Sequence, residues 1–160
     1  MNHEIREATA NDAPELFPLA EAMATSFQVE QKAFFESLDE IIVDSAAKCL
    51  VAEADGKIVG YLLGFDHRAF FANGRVSWVE EIYITDSLRR FGLGRDLMNH
   101  FENWCRSRGS RLIGLATRRA SDFYKALSYE ESATYFRRVL NVAAQPDGGV
   151  NECSAGAPHS

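Results

Sequence analysis

Apolar residues recur every three to four positions in two stretches near the start of the chain. The first stretch runs from Pro14 to Phe27, and the second runs from Gln31 to Asp44. This spacing collects the apolar side chains on one face of a helix, so each stretch predicts an amphipathic helix. A short segment before them, residues 3–8, predicts a first strand.

The next part of the chain is rich in aliphatic residues and is interrupted by turn residues. Residues 49–65 form two apolar runs around Asp55-Gly56, a dipeptide typical of a tight hairpin turn. A third run over residues 76–84 completes a predicted antiparallel meander. The second run contains two glycines that predict a bulge or a close backbone neighbour: Gly60 and Gly64.

The second half of the chain opens with a basic glycine loop, residues 89–94, which leads into a predicted helix over residues 95–108. A helix between the fourth and fifth strands makes a βαβ crossover, so those two strands are expected to be parallel. The predicted fold is α/β (α+β), a mixed and mostly antiparallel sheet with the order β-α-α-β-β-β-α-β-α-β-β. Its last elements are a strand at residues 111–116, a short helix at 122–127, and two strands at 129–132 and 134–140.

The length and composition favour a single folded unit. The chain has 160 residues, of which 46% are hydrophobic and 25% are charged, and these are ordinary globular values. Residues 141–160 lose all periodicity and consist largely of small and polar residues. We therefore expect one domain over residues 1–140, followed by a disordered tail over residues 141–160.

Charge and cysteine content exclude several classes of partner. A formal net charge of −6 disfavours a nucleic-acid backbone as the ligand. The chain has no apolar segment long enough to span a bilayer and no secretory leader, so we expect a cytoplasmic protein that does not bind membranes. Three scattered cysteines with no CxxC spacing predict neither a disulfide framework nor a metal site: Cys49, Cys105 and Cys153.

The basic glycine loop is the main candidate for a binding site. Glycines let the backbone approach an oxygen-rich group closely, and the N-terminus of the following helix favours an anion. The loop lacks the Lys-Ser or Lys-Thr pair of a nucleotide P-loop, and it does not follow the first strand as a dinucleotide fingerprint does. From these residues alone, a generic anion site and a simple turn with a helix cap both stay open.

Two motifs narrow this choice. Arg89, Gly92 and Gly94 are similar to the pattern [QR]-x-x-G-x-[GA] after a strand, and a second segment follows the next strand. That segment resembles A-x-x-F-Y-x-x-x-G-[FY], and its matching residues are Ala120, Phe123, Tyr124 and Tyr129. Together with the predicted order of elements, these motifs resemble the GNAT superfamily of acyl-CoA-dependent N-acyltransferases over roughly residues 3–140.

The resemblance implies an acetyl-CoA site where the fourth and fifth strands splay apart. The backbone of Ile82 and Ile84 would pair with the pantetheine amides, and the loop amides would hold the pyrophosphate. This sequence departs from relatives at Arg90 and Ser128, where glycine is usual, and at Thr117, where asparagine is frequent. The implied cofactor-binding residues are Ile82, Tyr83, Ile84, Arg89, Arg90, Phe91, Gly92, Leu93, Gly94, Arg95 and Thr117.

The resemblance also assigns catalytic roles. Tyr124 would donate a proton or a hydrogen bond to the departing thiolate, although it could instead be a core aromatic residue beside Phe123. The base that deprotonates the amine would be Glu80, which the resemblance favours, with Glu81 and a water chain as alternatives. Strict strand alternation would place the two glutamates on opposite faces, so that at most one enters the cleft.

The resulting hypothesis is direct transfer of an acetyl group from acetyl-CoA to a primary amine in a ternary complex. The acceptor would be a small polyamine-like molecule or a protein amino group. The helical stripe predicts that Phe34 and Phe35 are core residues, and the alternative is that they line the acceptor cleft together with Phe70 and Phe71. The alternative is an acyl-CoA sensor or interaction module without turnover. Dimers are common among the proteins this chain resembles, so a homodimer is also an expectation.

Overall fold

The computed structural model describes residues 1–140, which form one five-stranded sheet with helices on both faces. Short 3-10 turns at Ala10–Asp12 and Asp86–Leu88 connect some of the elements. The strands are β1 (His3–Glu7), β2 (Ala47–Ala54), β3 (Lys57–Ala69), β4 (Gly74–Ile84) and β5 (Ser110–Leu115). The helices are α1 (Ala13–Met23), α2 (Gln31–Val43), α3 (Leu93–Ser107) and α4 (Ser121–Ala126).

The strands follow one another across the sheet in chain order. Neighbours are antiparallel except β4 and β5, which are parallel and are joined through α3. The predicted mixed sheet with one βαβ crossover is therefore confirmed. The hairpin turn between β2 and β3 is confirmed as well, since Asp55 and Gly56 both adopt positive φ, at 50° and 78°.

Two apolar layers enclose the sheet. The first, here named the α3-side core, is Leu50, Ala52, Leu62, Val79, Leu93, Leu97, Met98, Phe101, Cys105 and Tyr124. The second, named the α1-side core, is Ala8, Ala13, Leu16, Ala20, Leu38, Val51, Ile58 and Tyr61.

Both glycines of β3 sit where the backbone is crowded. A Cβ at Gly64 would collide with the ring of Phe101, and one at Gly60 would collide with Ile84 and the Tyr83 carbonyl. The ladders also shift register next to both positions, between Ala52 and Glu53 and between Leu63 and Gly64. The predicted bulge or close backbone neighbour is therefore confirmed at both glycines, since the Tyr83 carbonyl lies beside Gly60 and the Trp78 carbonyl beside Gly64.

A buried carboxylate ties the far end of this sheet to α3. The Asp66 side chain is fully buried and accepts hydrogen bonds from Arg75 at 2.9 Å and from Arg108 at 2.6 Å. Removing either arginine would leave a buried charge short of partners, which is strongly destabilising. Asp66 therefore holds β3, β4 and the end of α3 in one arrangement.

The prediction of two final strands, at residues 129–132 and 134–140, is wrong. Within residues 1–140 the chain beyond α4 contains no strand, although Tyr135 stacks on Trp78 with ring centroids 6.3 Å apart. The sequence there places Tyr-Phe and Val-Leu side by side instead of alternating, so it has no single apolar face to bury. The aromatic pair consequently stays exposed, with Phe136 at 80%. The expected tail, residues 141–160, lies outside the described residues.

Candidate functional site

The parallel ladder between β4 and β5 ends early. Its last pair joins Val79 to Leu115, whereas β4 continues to Ile84. Within the described residues, the outer edge of β4 after Val79 therefore has no strand beside it. Unpaired N–H and C=O groups on such an edge can bind an extended ligand in the manner of an added strand.

The basic glycine loop lies directly beyond this open edge. Gly92 is the N-cap of α3 and has a φ of 85°, and a Cβ there would meet no atom within 4 Å. The first N–H groups of a helix have no partner inside it, so α3 directs its unpaired donors towards this open space. Leu93 anchors the helix start because its side chain is only 1% exposed in the α3-side core.

The three arginines of the loop differ in their partners. Arg89 is used within the protein: it donates to the Ile84 carbonyl at 3.1 Å, pairs with Asp86 at 2.8 Å and lies over the Tyr83 ring. Within residues 1–140, neither Arg90 nor Arg95 has an ion-pair partner. Arg89 thus shapes the loop, whereas the other two leave their guanidinium groups available to an anion.

Two of the three departures from the resembling pattern fall on strained backbone. Arg90 has a φ of 70° and Ser128 has a φ of 69°, a region that favours glycine. Thr117 accepts a hydrogen bond from the Ala120 N–H at 3.1 Å, so its hydroxyl holds the turn into α4. Phe91, on the outside of the loop, is 61% exposed.

Tyr124 has a buried ring and, within the described part of the chain, a hydroxyl without a partner. Its ring is buried in the α3-side core, with the rings of Phe123 and Tyr129 at centroid distances of 5.0 and 5.9 Å. Its hydroxyl has no hydrogen-bond partner among residues 1–140, and burial raises its pKa to about 12. Phe123 also approaches Gly94, where an added Cβ would lie 3.2 Å from the ring, so α4 packs on the glycine loop.

A bulge in β4 changes the expected orientation of the two glutamates. Leu63 pairs with Glu81 and Gly64 pairs with Val79, so Glu80 is an extra residue without a partner on β3. The extra residue breaks the alternation, and both glutamates line the same cavity. The prediction that at most one of them enters the cleft is therefore wrong, and Gly64 was the sequence signal for the bulge that overturns it.

Glu81 is half-buried and held in place. The Tyr61 hydroxyl donates a hydrogen bond of 2.8 Å to its carboxylate. Burial raises the pKa of Glu81, the Tyr61 hydrogen bond opposes that rise, and the neighbouring charge of Glu80 adds to it. Sequence reasoning missed Tyr61, which carries no motif.

The cavity next to these glutamates, here named the β4 cavity, has a volume of about 630 Å³ and lies between α1, α2, β3 and β4. Phe34 and Phe35 both pack in the α1-side layer, as the core interpretation predicts, and Phe34 also lines the cavity. Phe70 and Phe71 lie at the exposed β3–β4 turn and do not line it. The lining residues are Leu16, Ala20, Gln28, Val29, Glu30, Ala33, Phe34, Ser37, Leu38, Ile41, Cys49, Tyr61, Leu63, Phe65, Glu80 and Glu81.

Neither a metal cluster nor a membrane-spanning helix is found within residues 1–140. No group of three or more His, Cys, Asp or Glu side chains in this part of the chain could hold a metal ion. No helix in it is long and apolar enough to cross a bilayer.

The sequence that contains the open strand edge, the glycine loop and the crossover helix matches a known family. A family model described as the acetyltransferase (GNAT) family matches residues 11–129. The chain belongs to this family. Acyl-CoA-dependent acetyl transfer is thereby its general activity, with acetyl-CoA as the cosubstrate.

Individual relatives show how widely this fold is used. The chain is 28% identical over 143 residues to the N-terminal acetyltransferase B complex catalytic subunit naa20 of Schizosaccharomyces pombe, covering 83% of this chain and 69% of that protein. Glucosamine-6-phosphate N-acetyltransferase from Arabidopsis thaliana superposes with a TM-score of 0.79 at 18% identity, covering 88% of this chain and all of that one. AAC(6')-Iy, solved with the bisubstrate analogue CoA-S-monomethyl-acetylneamine, gives a TM-score of 0.74 at 18% identity over 88% of this chain and all of that one. At these identities the two structures indicate a shared fold only.

Proposed function

We propose that this protein transfers the acetyl group of acetyl-CoA to a primary amine by direct attack within a ternary complex. One observation carries the proposal: the start of the open β4 edge is also a wall of the β4 cavity. Glu80 and Glu81 border the cavity, and the open edge continues from them to Ile84. A donor on the edge and an acceptor in the cavity would therefore meet at one point.

The donor half uses backbone groups and glycines. The pantetheine arm would pair with the backbone of β4 from Ile82 to Ile84, and the pyrophosphate would lie against the amides of residues 90–95. Arg90 and Arg95 would add charge-assisted hydrogen bonds to the phosphate oxygens. Ile82 and Ile84 direct their side chains into the α3-side layer, so only their backbone serves the ligand.

The acceptor half supplies the base. A primary ammonium must lose a proton before its nitrogen can attack, and a carboxylate in the cavity can accept that proton directly or through water. We assign this role to Glu81, with Glu80 beside it, because burial brings the pKa of Glu81 closer to that of an amine and Tyr61 fixes its direction.

The transfer itself would then proceed through a tetrahedral intermediate. The neutral amine nitrogen forms a bond to the thioester carbonyl carbon, and the oxyanion that results would be stabilised by backbone N–H groups of β4. Collapse of this intermediate breaks the C–S bond and leaves a CoA thiolate. The second amine proton is released, and the thiolate ends as the free thiol.

Tyr124 would assist the departure of the thiolate. Because burial raises its pKa to about 12, its phenol stays protonated at neutral pH. A thiol is more acidic than such a phenol, so the hydroxyl would stabilise the thiolate by donating a hydrogen bond more than by surrendering its proton. Solvent would then supply the final proton.

Binding and turnover can be tested separately. We expect acetyl-CoA to raise the melting temperature, and free thiol to appear with at least one member of a panel containing an alkylamine, an aralkylamine, an aminoglycoside, an amino acid and a peptide with a free N-terminus. Binding without thiol release across the panel would favour the sensor alternative. Absence of any acetyl-CoA binding would contradict both.

A further inference from the structure

The β4 cavity has a chemical character that restricts the acceptor. We propose that the acceptor is a primary amine with a single positive charge, carried on an apolar body and with no anionic group near the nitrogen. This inference rests on the proposed function, because it treats the cavity as the acceptor side of the transfer. It adds the substrate class, which the motifs do not specify.

The charges of the lining point to a cation. Among its sixteen residues there are three carboxylates, Glu30, Glu80 and Glu81, and no lysine, arginine or histidine. A ligand carboxylate or phosphate placed beside Glu80 and Glu81 would be repelled and would find no basic side chain in the lining. An ammonium there would be attracted by the same pair.

The distribution of the carboxylates limits the acceptor to one ammonium in the cavity interior. Glu81 is the half-buried carboxylate of the lining, whereas its neighbour Glu80 and Glu30, which precedes α2, are exposed to solvent. A second ammonium carried deeper than the first would therefore lie against apolar side chains and would lose its hydration without gaining a partner. Diamines and polyamines are disfavoured on this ground.

The remaining walls suit an apolar body. Most of the lining residues are apolar, and the deepest of them are nearly inaccessible, with Leu16 at 2% and Leu38 at 4% exposure. The volume of about 630 Å³ lies in the ordinary range for a small-ligand pocket. An aromatic ring or a branched alkyl group would fill this space and be removed from water.

Two kinds of molecule have this chemistry. One is a free aralkylamine, and the other is a peptide N-terminus whose first side chain is large and apolar. The shared feature is the ammonium beside an apolar group, and the two sources differ only in whether a backbone leaves the cavity through its open side. That side is bordered by Ala33 and Ser37, which are exposed on α2.

Matched amines test the proposal with the full-length protein and saturating acetyl-CoA. We expect kcat/KM from thiol release to be roughly 100-fold higher for phenethylamine than for phenylalanine, which adds only a carboxylate, and roughly tenfold higher for hexylamine than for the equally long cadaverine. A peptide amide beginning with phenylalanine distinguishes the two sources. Equal rates within either pair, or cadaverine as the better substrate, would overturn the proposal while leaving acetyl transfer to amines intact.

A variant that fills the β4 cavity tests whether the amine is bound there. Ser37→Trp should lower kcat/KM for phenethylamine at least about tenfold and leave the Kd for acetyl-CoA unchanged, because Ser37 is exposed and lines only the cavity. The matched control is Asp39→Trp, which puts the same side chain at an exposed α2 position outside the lining. An unchanged rate in Ser37→Trp, or an equal loss in both variants, would contradict the assignment.

Binding of phenethylamine can also be measured without turnover. Saturation-transfer NMR with the protein and CoA should detect phenethylamine, and the signal should fall in Ser37→Trp. Binding without thiol release for any amine would support the cavity chemistry and contradict the proposed transfer. Absence of binding would overturn the substrate class.

Discussion

The open edge of β4 and the cavity beside this strand present different chemical groups. On the edge side, the binding surface consists of unpaired backbone groups, two glycines and a helix N-terminus, and the side chains of Ile82 and Ile84 turn away into the core. On the cavity side, the surface consists of side chains contributed by α1, α2, β3 and β4. The first side would bind a part of CoA that never varies, and the second would bind the acceptor.

This difference explains what each side can tolerate. A backbone site requires particular φ values, and only a few residue types supply them. An apolar wall requires shape and volume, which many combinations of residues supply. We therefore expect single substitutions on the edge side to abolish function, and those on the cavity side to change the choice of acceptor.

The largest effect is expected at Gly92. Gly92→Val would place a β-branched side chain in the open space over the start of α3, at a φ of 85°. We expect at least a 100-fold loss of acetyl-CoA affinity, about 2.7 kcal/mol, in isothermal titration calorimetry. Gly109→Val is the control, because Gly109 has a φ of 79° and equally open surroundings at the opposite end of α3. If both variants lost affinity alike, backbone strain would explain the result and the loop would not be the phosphate site.

The next effect separates chemistry from binding at Tyr124. Tyr124→Phe removes only the hydroxyl, so kcat should fall about 100-fold while the acetyl-CoA Kd changes little. Tyr129→Phe is the matched control, since that ring packs against Tyr124 but its hydroxyl donates to Glu102 at 2.8 Å. Loss of kcat and affinity in equal measure would mean that Tyr124 only packs.

Burial affects the titratable groups of the two sides differently, and the pH dependence of folding stability reveals the difference. The phenol of Tyr124 is uncharged at neutral pH, so its burial carries no free-energy penalty for desolvating a charge. Burial of the Glu81 carboxylate does carry that penalty. Because the pKa of Glu81 is raised above its unfolded value, the folded state loses stability as pH rises through the interval between the two values. Glu81→Gln removes this loss and still accepts the Tyr61 hydrogen bond.

The measurement is a series of melting curves for wild type and Glu81→Gln. The variant should gain in melting temperature relative to wild type as pH rises above about 4.3, the unperturbed value, and the difference should vanish below it. Glu21→Gln, on the exposed side of α1, should show no such pH-dependent gain. A pH-independent difference for Glu81→Gln would indicate that the carboxylate is not desolvated.

The smallest expected effects concern the strained residues of the edge side. Arg90→Gly and Ser128→Gly should each stabilise the ligand-free protein by about 0.5 kcal/mol, because relief of the left-handed backbone exceeds the entropy cost of glycine. Urea denaturation would detect the shift. Arg89→Gly is the comparison, since Arg89 has a φ of −66° and would lose its bonds to Ile84 and Asp86. Destabilisation by Arg90→Gly would show that its side chain makes contacts worth more than the strain.

The sequence predicted the turns and the strand order well, because backbone with positive φ restricts which residue types can occupy it. Gly92 occupies the left-handed N-cap that the loop needs, and Asp55-Gly56 forms the expected turn. The crossover from β4 to β5 follows from a helix placed between two strands. The prediction failed at residues 129–140, where aromatic and branched residues favour a strand locally but no alternation supplies a buried face.

Only a few of the residues that line the β4 cavity were predicted from the sequence. The helical stripe predicted Phe34 as a core residue and left a pocket role as the alternative. Tyr61 and Leu63 lie in the middle of an apolar strand, and nothing local marks them as pocket residues. The orientation of Glu80 and Glu81 depended on a single extra residue in the ladder. A pattern of period two cannot locate such an insertion without the partner strand.

That extra residue is a self-contained insertion in β4. The pairs on either side of it, Gly64 with Val79 and Leu63 with Glu81, already lie on matching faces of the sheet. Deleting Glu80 would therefore leave a regular ladder in which Ile82 stays in the α3-side layer and Tyr83 stays in the α1-side layer. The strand could lose this residue without repacking either layer, and the loss would fall on the wall of the β4 cavity alone.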